Sequence, residues 1–333
     1  MNRQLKTLLL SEANVKQVFE KNKEDALGIV EKALEMRTAD KVILPDKSSQ
    51  IFDEKIQNRI NCMPGSLIGD NVSGVKWIAV FPENPKSGYE NVTGTIILSE
   101  LEHGHTISVM DASYLTGLRT AAVGATAVKY LSNESSAIIG FIGAGNEAMN
   151  HLDMICIARP SIKTCKVSSR SDTSVNRFIE IEKAKHPDIE FIACGNNYEK
   201  AVTGSDIIVT ATSTQADLLK ANWIKKGALY VHVGGWEDEY AVPQLANKIV
   251  CDEWECIKHR SQTISRMYKE GLLKDSDIYA NLGDITAGKV RGRENKEEFI
   301  YFCSVGLAFI DVAFANYAYM KCRENGTGFE FQF

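Results

Sequence analysis

Apolar positions in the first third of the chain switch between helical and extended spacing. Over 12–37, Val15, Val18, Phe19, Ala26, Ile29, Val30, Ala33 and Leu34 recur every three or four residues, which predicts one amphipathic helix. The runs 74–81 and 92–98 are rich in Val, Ile, Trp and Thr and read as strands. Between them, 82–88 carries two prolines and a glycine and reads as a loop. A third strand, 106–110, is expected to pair with the second across Glu102-His103-Gly104-His105. From residue 116 the pattern changes. Helical stretches at 116–131, 146–158 and 174–185 alternate with short apolar runs at 137–142, 164–168, 189–193, 207–210, 229–233 and 248–251. Alternating strands and helices predict βαβ units and a parallel sheet, an α/β fold. A last helix over 305–324, rich in Ala, Phe and Tyr, lies beyond the final strand and is expected to return to the first domain.

Composition narrows the class. The 333 residues are 44% hydrophobic and 24% charged, ordinary values for a globular chain. A net charge of -5 argues against a basic nucleic-acid footprint, so no nucleic-acid partner is expected. The N-terminal run Leu8-Leu9-Leu10 is too short for a signal core. No run approaches the ~18 apolar residues of a membrane span, and no membrane partner is expected. Eight scattered cysteines show no C-x-x-C spacing, so no metal is expected and reduced thiols in a cytoplasmic setting are the natural reading. Trp254 to Arg260 is charged and reads as the start of an exposed helix.

The chemistry begins at Gly143-Ala144-Gly145-Asn146-Glu147-Ala148. These residues follow an apolar strand and open a helix, the context in which a glycine-rich turn binds a dinucleotide. Gly143 permits the tight turn, Gly145 lets backbone approach a pyrophosphate, and Ala148 stands for the third glycine. The helix N-terminus then offers unpaired N–H groups to the phosphates. The fold class is thus a Rossmann-like doubly wound sheet, over 116–304, plus a discontinuous α+β domain for substrate binding and dimerisation, over 1–115 and 305–333. At the end of the second strand a carboxylate would bind a ribose 2′-hydroxyl. The sequence there is Ser168-Ser169-Arg170-Ser171, which suits a 2′-phosphate and favours NADP(H) over NAD(H). A plain solvated Arg170 is the alternative.

Five segments together carry a family resemblance: Gly74-Val75-Lys76-Trp77-Ile78, Leu118-Arg119-Thr120-Ala121-Ala122, Gly143-Ala144-Gly145, Leu282-Gly283-Asp284-Ile285 and Ser304-Val305-Gly306-Leu307-Ala308. In order and spacing the chain resembles the ornithine cyclodeaminase/μ-crystallin family from about residue 55 onward. The resemblance implies a homodimer that moves a hydride between nicotinamide and the α-carbon of a small amino acid or its imine. It implies that Lys76 contacts substrate and handles a proton, that Arg119 binds the substrate carboxylate, and that Thr120 lies beside the cofactor. Asn146 and Glu147 would sit at the pyrophosphate and Ser169 at the ribose. Thr212, His232, Val233 and Gly234 would approach the cofactor, with Ser304 beside it and Val305 closing the substrate side. Arg59 is the first candidate for a second carboxylate-binding cation, ahead of Lys47. The residue types fit independently. A zwitterion needs a fixed cation, and arginine's fork suits a carboxylate. A lysine with a lowered pKa can serve as general base. Lys76 as an edge-strand charge and Arg119 as a helix-surface cation remain the plainer readings.

One departure separates the chain from the enzyme that gives the family its name. Cyclodeaminases proper carry an aspartate directly after Val-Gly-Gly. Here Val233-Gly234-Gly235 is followed by Trp236, and an indole cannot exchange protons. Glu237 or Asp238 could substitute catalytically, or the run Glu237-Asp238-Glu239 could be a solvated turn. The departure favours an amino-acid dehydrogenase or ketimine reductase. A cyclodeaminase-type lyase using bound NAD and a non-catalytic, cofactor-regulated binding protein are the alternatives.

Overall fold

The computed structural model describes residues 6–332. The chain forms two compact units, Met1–Arg119 with Leu307–Phe333, and Thr120–Gly306. The divisions fall inside the helix Ser113–Leu131 and just before the helix Ala308–Glu324.

In the first unit a sheet runs in the order Phe329–Gln332, Lys6–Leu10, Thr106–Asp111, Val92–Glu100, Val72–Val80, Asn58–Leu67 and Val42–Ile43, and Ser48–Asp53 also pairs with Asn58–Leu67. The expected pairing of the strands near 92–98 and 106–110 is present, antiparallel, with Ile96 opposite Met110. The single helix expected over 12–37 is two, Glu12–Lys21 and Asp25–Thr38. Asn22 ends the first: its side-chain amide donates to Val18 O, taking a carbonyl that a further turn would have used. The strand Asn58–Leu67 escaped the pattern because Pro64 and Gly65 interrupt it.

Those interruptions have a packing role. Gly65 and Gly74 lie opposite each other on adjacent strands, leaving a patch of sheet without side chains. The helix Ala308–Glu324 is seated there. A Cβ on Gly65 would lie 2.8 Å from Phe309 N, and one on Gly74 would lie 3.1 Å from Val312 Cγ2. The last helix belongs to the first unit, and its backbone lies close to the sheet.

The second unit holds a wholly parallel sheet in the order Glu190–Ala193, Thr164–Ser168, Ile138–Ile142, Ile207–Thr210, Leu229–His232, Ile300–Cys303, Lys248–Cys251 and Ala280–Asn281. The chain winds outward from Ile138–Ile142 to Glu190–Ala193, then returns to Ile207–Thr210 on the other side. That reversal is the switch point where doubly wound sheets bind ligands. Ile300–Cys303 was not anticipated; it is inserted between two strands that precede it in sequence. The stretch from Trp254 is corrected as well. It forms a short helix, Trp254–Ile257, whose Trp254 and Ile257 are buried, with Trp254 Nε1 donating to Asp275 Oδ1 at 2.7 Å. Among the described residues no helix is long and apolar enough to cross a membrane.

The glycine patch makes a paired prediction. Gly65→Ala should destabilise the protein by about 1–3 kcal/mol, because the colliding atoms are backbone. Gly28→Ala, in an exposed helical position with nothing within 4 Å of the new Cβ, should stabilise it by about 0.5–1 kcal/mol. Urea unfolding of both variants checks this; a neutral Gly65→Ala would contradict the close approach.

Candidate active site

The glycine turn sits at the C-terminal end of Ile138–Ile142, at the switch point. Gly143 has φ +114, and a Cβ there would lie 2.4 Å from Ala211 O, so only glycine fits. Gly145 has nothing within 4 Å of a would-be Cβ, which leaves its backbone open to approach. It is the N-cap of the helix Asn146–Ala158 and supplies no side-chain cap, so the first-turn N–H groups remain available to an anion. A cavity of about 300 Å³ opens here, lined by Gly143, Gly145, Ser169, Arg170, Arg177 and Thr212 among others. These features fit a dinucleotide. Asn146 and Glu147 start the helix, exposed and half-buried respectively. Ser171 does not line the cavity; it caps the helix Asp172–Lys185, its hydroxyl accepting from Ser174 N at 3.4 Å. Arg177, one helical turn further on, was missed by sequence reasoning. Its place after Arg170 on a helix that starts at the strand end was the available signal.

In the first unit, Lys76 and Arg119 meet on one carboxylate. Lys76 Nζ lies 2.6 Å from Asp311 Oδ1 and Arg119 Nε 2.8 Å from the same oxygen. Lys76 is 1% exposed and Arg119 6%. The readings of Lys76 as an edge charge and Arg119 as a surface cation are thereby overturned. Lys76 and Arg119 thus meet the same carboxylate oxygen in a buried setting. Arg119 donates through Nε to Asp311, and among the described residues its two terminal nitrogens make no hydrogen bond. Asp311 Oδ2 is buried with no hydrogen-bond partner. Asp311 was missed because its helix reads as apolar. A lone acid within Leu307-Ala308-Phe309-Ile310-Asp311-Val312-Ala313-Phe314 was the signal. Arg59 lies on the same sheet face, in line with buried Asn61 and Met63; Met63 is the cross-strand partner of Lys76. Arg59 is half-buried, its guanidinium donates to Gln57 O at 3.0 Å, and burial lowers its pKa. Thr120 follows Arg119 on the same helix and is half-buried.

Behind the dinucleotide cavity lies a polar network that solvent does not reach. Glu237 accepts from Thr212 N at 2.6 Å, Thr210 Oγ1 at 2.8 Å and Gly234 N at 2.9 Å. Asp238 Oδ1 accepts from Thr263 Oγ1 at 2.7 Å and from Tyr301 at 3.3 Å. His232 Nδ1 lies 2.7 Å from the Tyr301 hydroxyl. His232, Glu237 and Asp238 are all fully buried. The expectation of a solvated turn needs correcting: Glu237 and Asp238 are buried and accept from backbone amides and hydroxyls. Burial pushes Glu237 upward against its three donors, pushes Asp238 up to about 8, and pushes His232 down to about 4. Trp236 is held by its indole N–H on Asp217 Oδ1 at 2.7 Å and by Arg266, whose guanidinium stacks 3.7 Å from the ring centre. Val233 N donates to Thr210 O at 3.2 Å. Ser304 is fixed by a residue that sequence reasoning missed: Asp252 Oδ2 accepts from Ser304 Oγ, Val305 N and Gly306 N at 2.8, 2.9 and 3.0 Å.

The parallel doubly wound sheet and the glycine turn at its switch point define a Rossmann-like dinucleotide-binding protein. The family model for "Ornithine cyclodeaminase/mu-crystallin family" matches residues 6–326, and the chain belongs to that family. It is similar, at 28% identity over 98% of both chains, to N-((2S)-2-amino-2-carboxyethyl)-L-glutamate dehydrogenase of Staphylococcus aureus. Among solved structures it resembles Thermococcus litoralis Delta(1)-pyrroline-2-carboxylate reductase in complex with NADH and L-proline, with TM-score 0.91, 30% identity and 97% and 99% of the two chains covered. It also resembles an archaeal alanine dehydrogenase dimer with bound NAD, with TM-score 0.89, 28% identity and 99% and 100% covered.

The buried acid predicts a pH effect on stability. The unfolded chain returns Asp238 to its ordinary value of about 4. Between that value and about 8 the folded protein holds a proton that the unfolded chain has lost, so this group makes stability fall as pH rises. His232 acts the other way, but only from its folded value of about 4 up to its ordinary 6.5. Between pH 6.5 and 8 the wild type should therefore lose more stability than Asp238→Asn does. Equal slopes in urea unfolding would contradict the assignment.

Proposed function

We propose that this chain is an oxidoreductase that transfers a hydride between a nicotinamide dinucleotide, the hydride carrier, and the α-carbon of a small amino acid or its imine. The observation that carries the reading is the shared carboxylate of Asp311, which holds Lys76 and Arg119 side by side in a buried place. Arg119 keeps its terminal nitrogens for a substrate carboxylate. Lys76 Nζ is the group placed to exchange a proton with the substrate nitrogen or its α-carbon surroundings. Arg59, on the same sheet face, supplies a further cation toward the carboxylate. Relatives that act on amino acids and cyclic imines support this class. Trp236, held against Asp217 and Arg266 where a cyclodeaminase needs its aspartate, disfavours the lyase. Lys76→Ala should lower kcat by about 10²–10⁴-fold in steady-state assays. Unchanged turnover would remove the catalytic assignment.

NADP(H) is the favoured cofactor, although the solved relatives above hold NADH and NAD. The support is the lining of the cavity. Arg170 and Arg177 both reach it beside Ser169, and no lining residue is acidic, so a 2′-phosphate meets cations and no carboxylate competes for a 2′-hydroxyl. Arg177→Ala should weaken NADPH binding by about tenfold, or about 1.4 kcal/mol, while NADH binding stays within about twofold. Equal losses for both, in fluorescence titrations, would overturn the preference.

The protein acts as a homodimer in this reading, in a reducing, cytoplasmic setting. The sheet of the first unit leaves large apolar side chains exposed, Trp77 and Ile97 among them, on the face opposite Lys76. The alanine dehydrogenase relative is a dimer. None of the eight cysteines is in a disulfide. A monomer in analytical ultracentrifugation at micromolar concentration would contradict the dimer.

A further inference from the structure

We infer that Glu237 is a positioning residue that shapes the dinucleotide groove by fastening together the two loops that follow adjacent strands of the sheet. The inference rests on the dinucleotide reading and assigns a role to a residue that does not itself contact the cofactor. The strands Ile207–Thr210 and Leu229–His232 are neighbours, and their C-terminal ends lead into the loops that begin at Ala211 and Val233. Farther along, the two loops are joined by backbone bonds, with Leu219 and Asp238 forming a parallel bridge. Next to the strand ends, at the groove, the Glu237 side chain adds a second connection. One carboxylate oxygen accepts from Thr212 N and the other from both Gly234 N and Thr210 Oγ1.

The surrounding contacts point the same way. Gly234 is glycine because a Cβ would lie 2.4 Å from Glu237 Oε2. Backbone bonds from Leu218 N and Leu219 N to Glu237 O, and from Ala216 N to Trp236 O, continue the fastening along the first loop. That loop is the groove wall: Ala211, Thr212, Ser213, Thr214 and Leu218 line the cavity opposite the glycine turn. Ala211 O is also the atom that forbids a side chain at Gly143. The position of the loop therefore sets both the width of the groove and the fit of the turn. A carboxylate is required because both of its oxygens must accept. Glutamine presents one oxygen and one NH2, so it must face either Thr212 N or Gly234 N with a donor. The hydrogen-bonded group around Asp238 lies on the far side of Tyr230 and supports the core without touching either loop's amides.

The test compares Glu237→Gln with Thr263→Val, which removes the donor to Asp238 and leaves the Glu237 bonds intact. Binding of NADH and of NADPH to each purified protein is followed by nicotinamide fluorescence, and amide hydrogen exchange is measured without cofactor. Glu237→Gln should raise both dissociation constants about tenfold and speed exchange at Thr212 or Gly234. Thr263→Val should lower the thermal midpoint yet leave both constants within about twofold. Unchanged binding in Glu237→Gln, or an equal loss in Thr263→Val, would overturn the inference. Absence of binding by the wild type would instead remove the dinucleotide reading beneath it. Should Glu237→Gln not fold, wild-type exchange decides. Amides of Thr212 and Gly234 held by one carboxylate should open at a common rate, and rates differing by more than about tenfold would contradict the clasp.

Discussion

Burying a charged side chain is costly without a counter-charge, and in the first unit Lys76 and Arg119 both meet the carboxylate of Asp311. Its placement is a matter of backbone clearance. The paired glycines Gly65 and Gly74 clear a patch of sheet, and the helix carrying Asp311 comes down on it between Phe309 and Val312. Lys76 stands two residues beyond Gly74 on the same face, so close approach of the helix and pairing of the lysine are one geometric event. Removing one member of such a buried cluster typically costs about 3–5 kcal/mol, because the others are left uncompensated. The pairing is thus a constraint on folding as much as a feature of the site.

The second unit solves a different problem by similar means. A dinucleotide groove needs backbone exposed at strand ends, where the ladder stops and loops are free to drift. Glycine at 143 accepts the tight turn, and buried acids restrain the loops around it. Glu237 ties the loops after two adjacent strands, and Asp252 gathers Ser304, Val305 and Gly306 after a third. Carboxylates serve here as acceptors for several backbone amides, a geometry in which a buried acid is compensated by dipoles and not by a cation.

Much of this was legible in the sequence, for physical reasons. The alternation of short apolar runs and helical stretches defined the parallel sheet, and the glycine turn marked its switch point because few contexts require glycines at that spacing. The family resemblance singled out Lys76 and Arg119, which the structure buries together on Asp311. Asp311 was not, because an acid inside an apolar helix is indistinguishable by period from a surface position until its partner is known. The strand Asn58–Leu67 was hidden by the residues, Pro64 and Gly65, that make its packing work. The run Glu237-Asp238-Glu239 misled in the opposite sense. Three acids in a row read as solvent-facing, yet Glu237 and Asp238 are buried on loop amides and hydroxyls that are remote in sequence.

The proposed reaction is net redox chemistry on an amino acid or imine, with nicotinamide as the hydride carrier. Following reduced-nicotinamide absorbance and ammonia in the same reaction, across amino acids, cyclic imines, and keto acids with amines, tests it most directly. The account predicts a substrate-dependent change in reduced cofactor that matches product formed, mole for mole. Ammonia released from a diamino acid with no net change in reduced cofactor would contradict it.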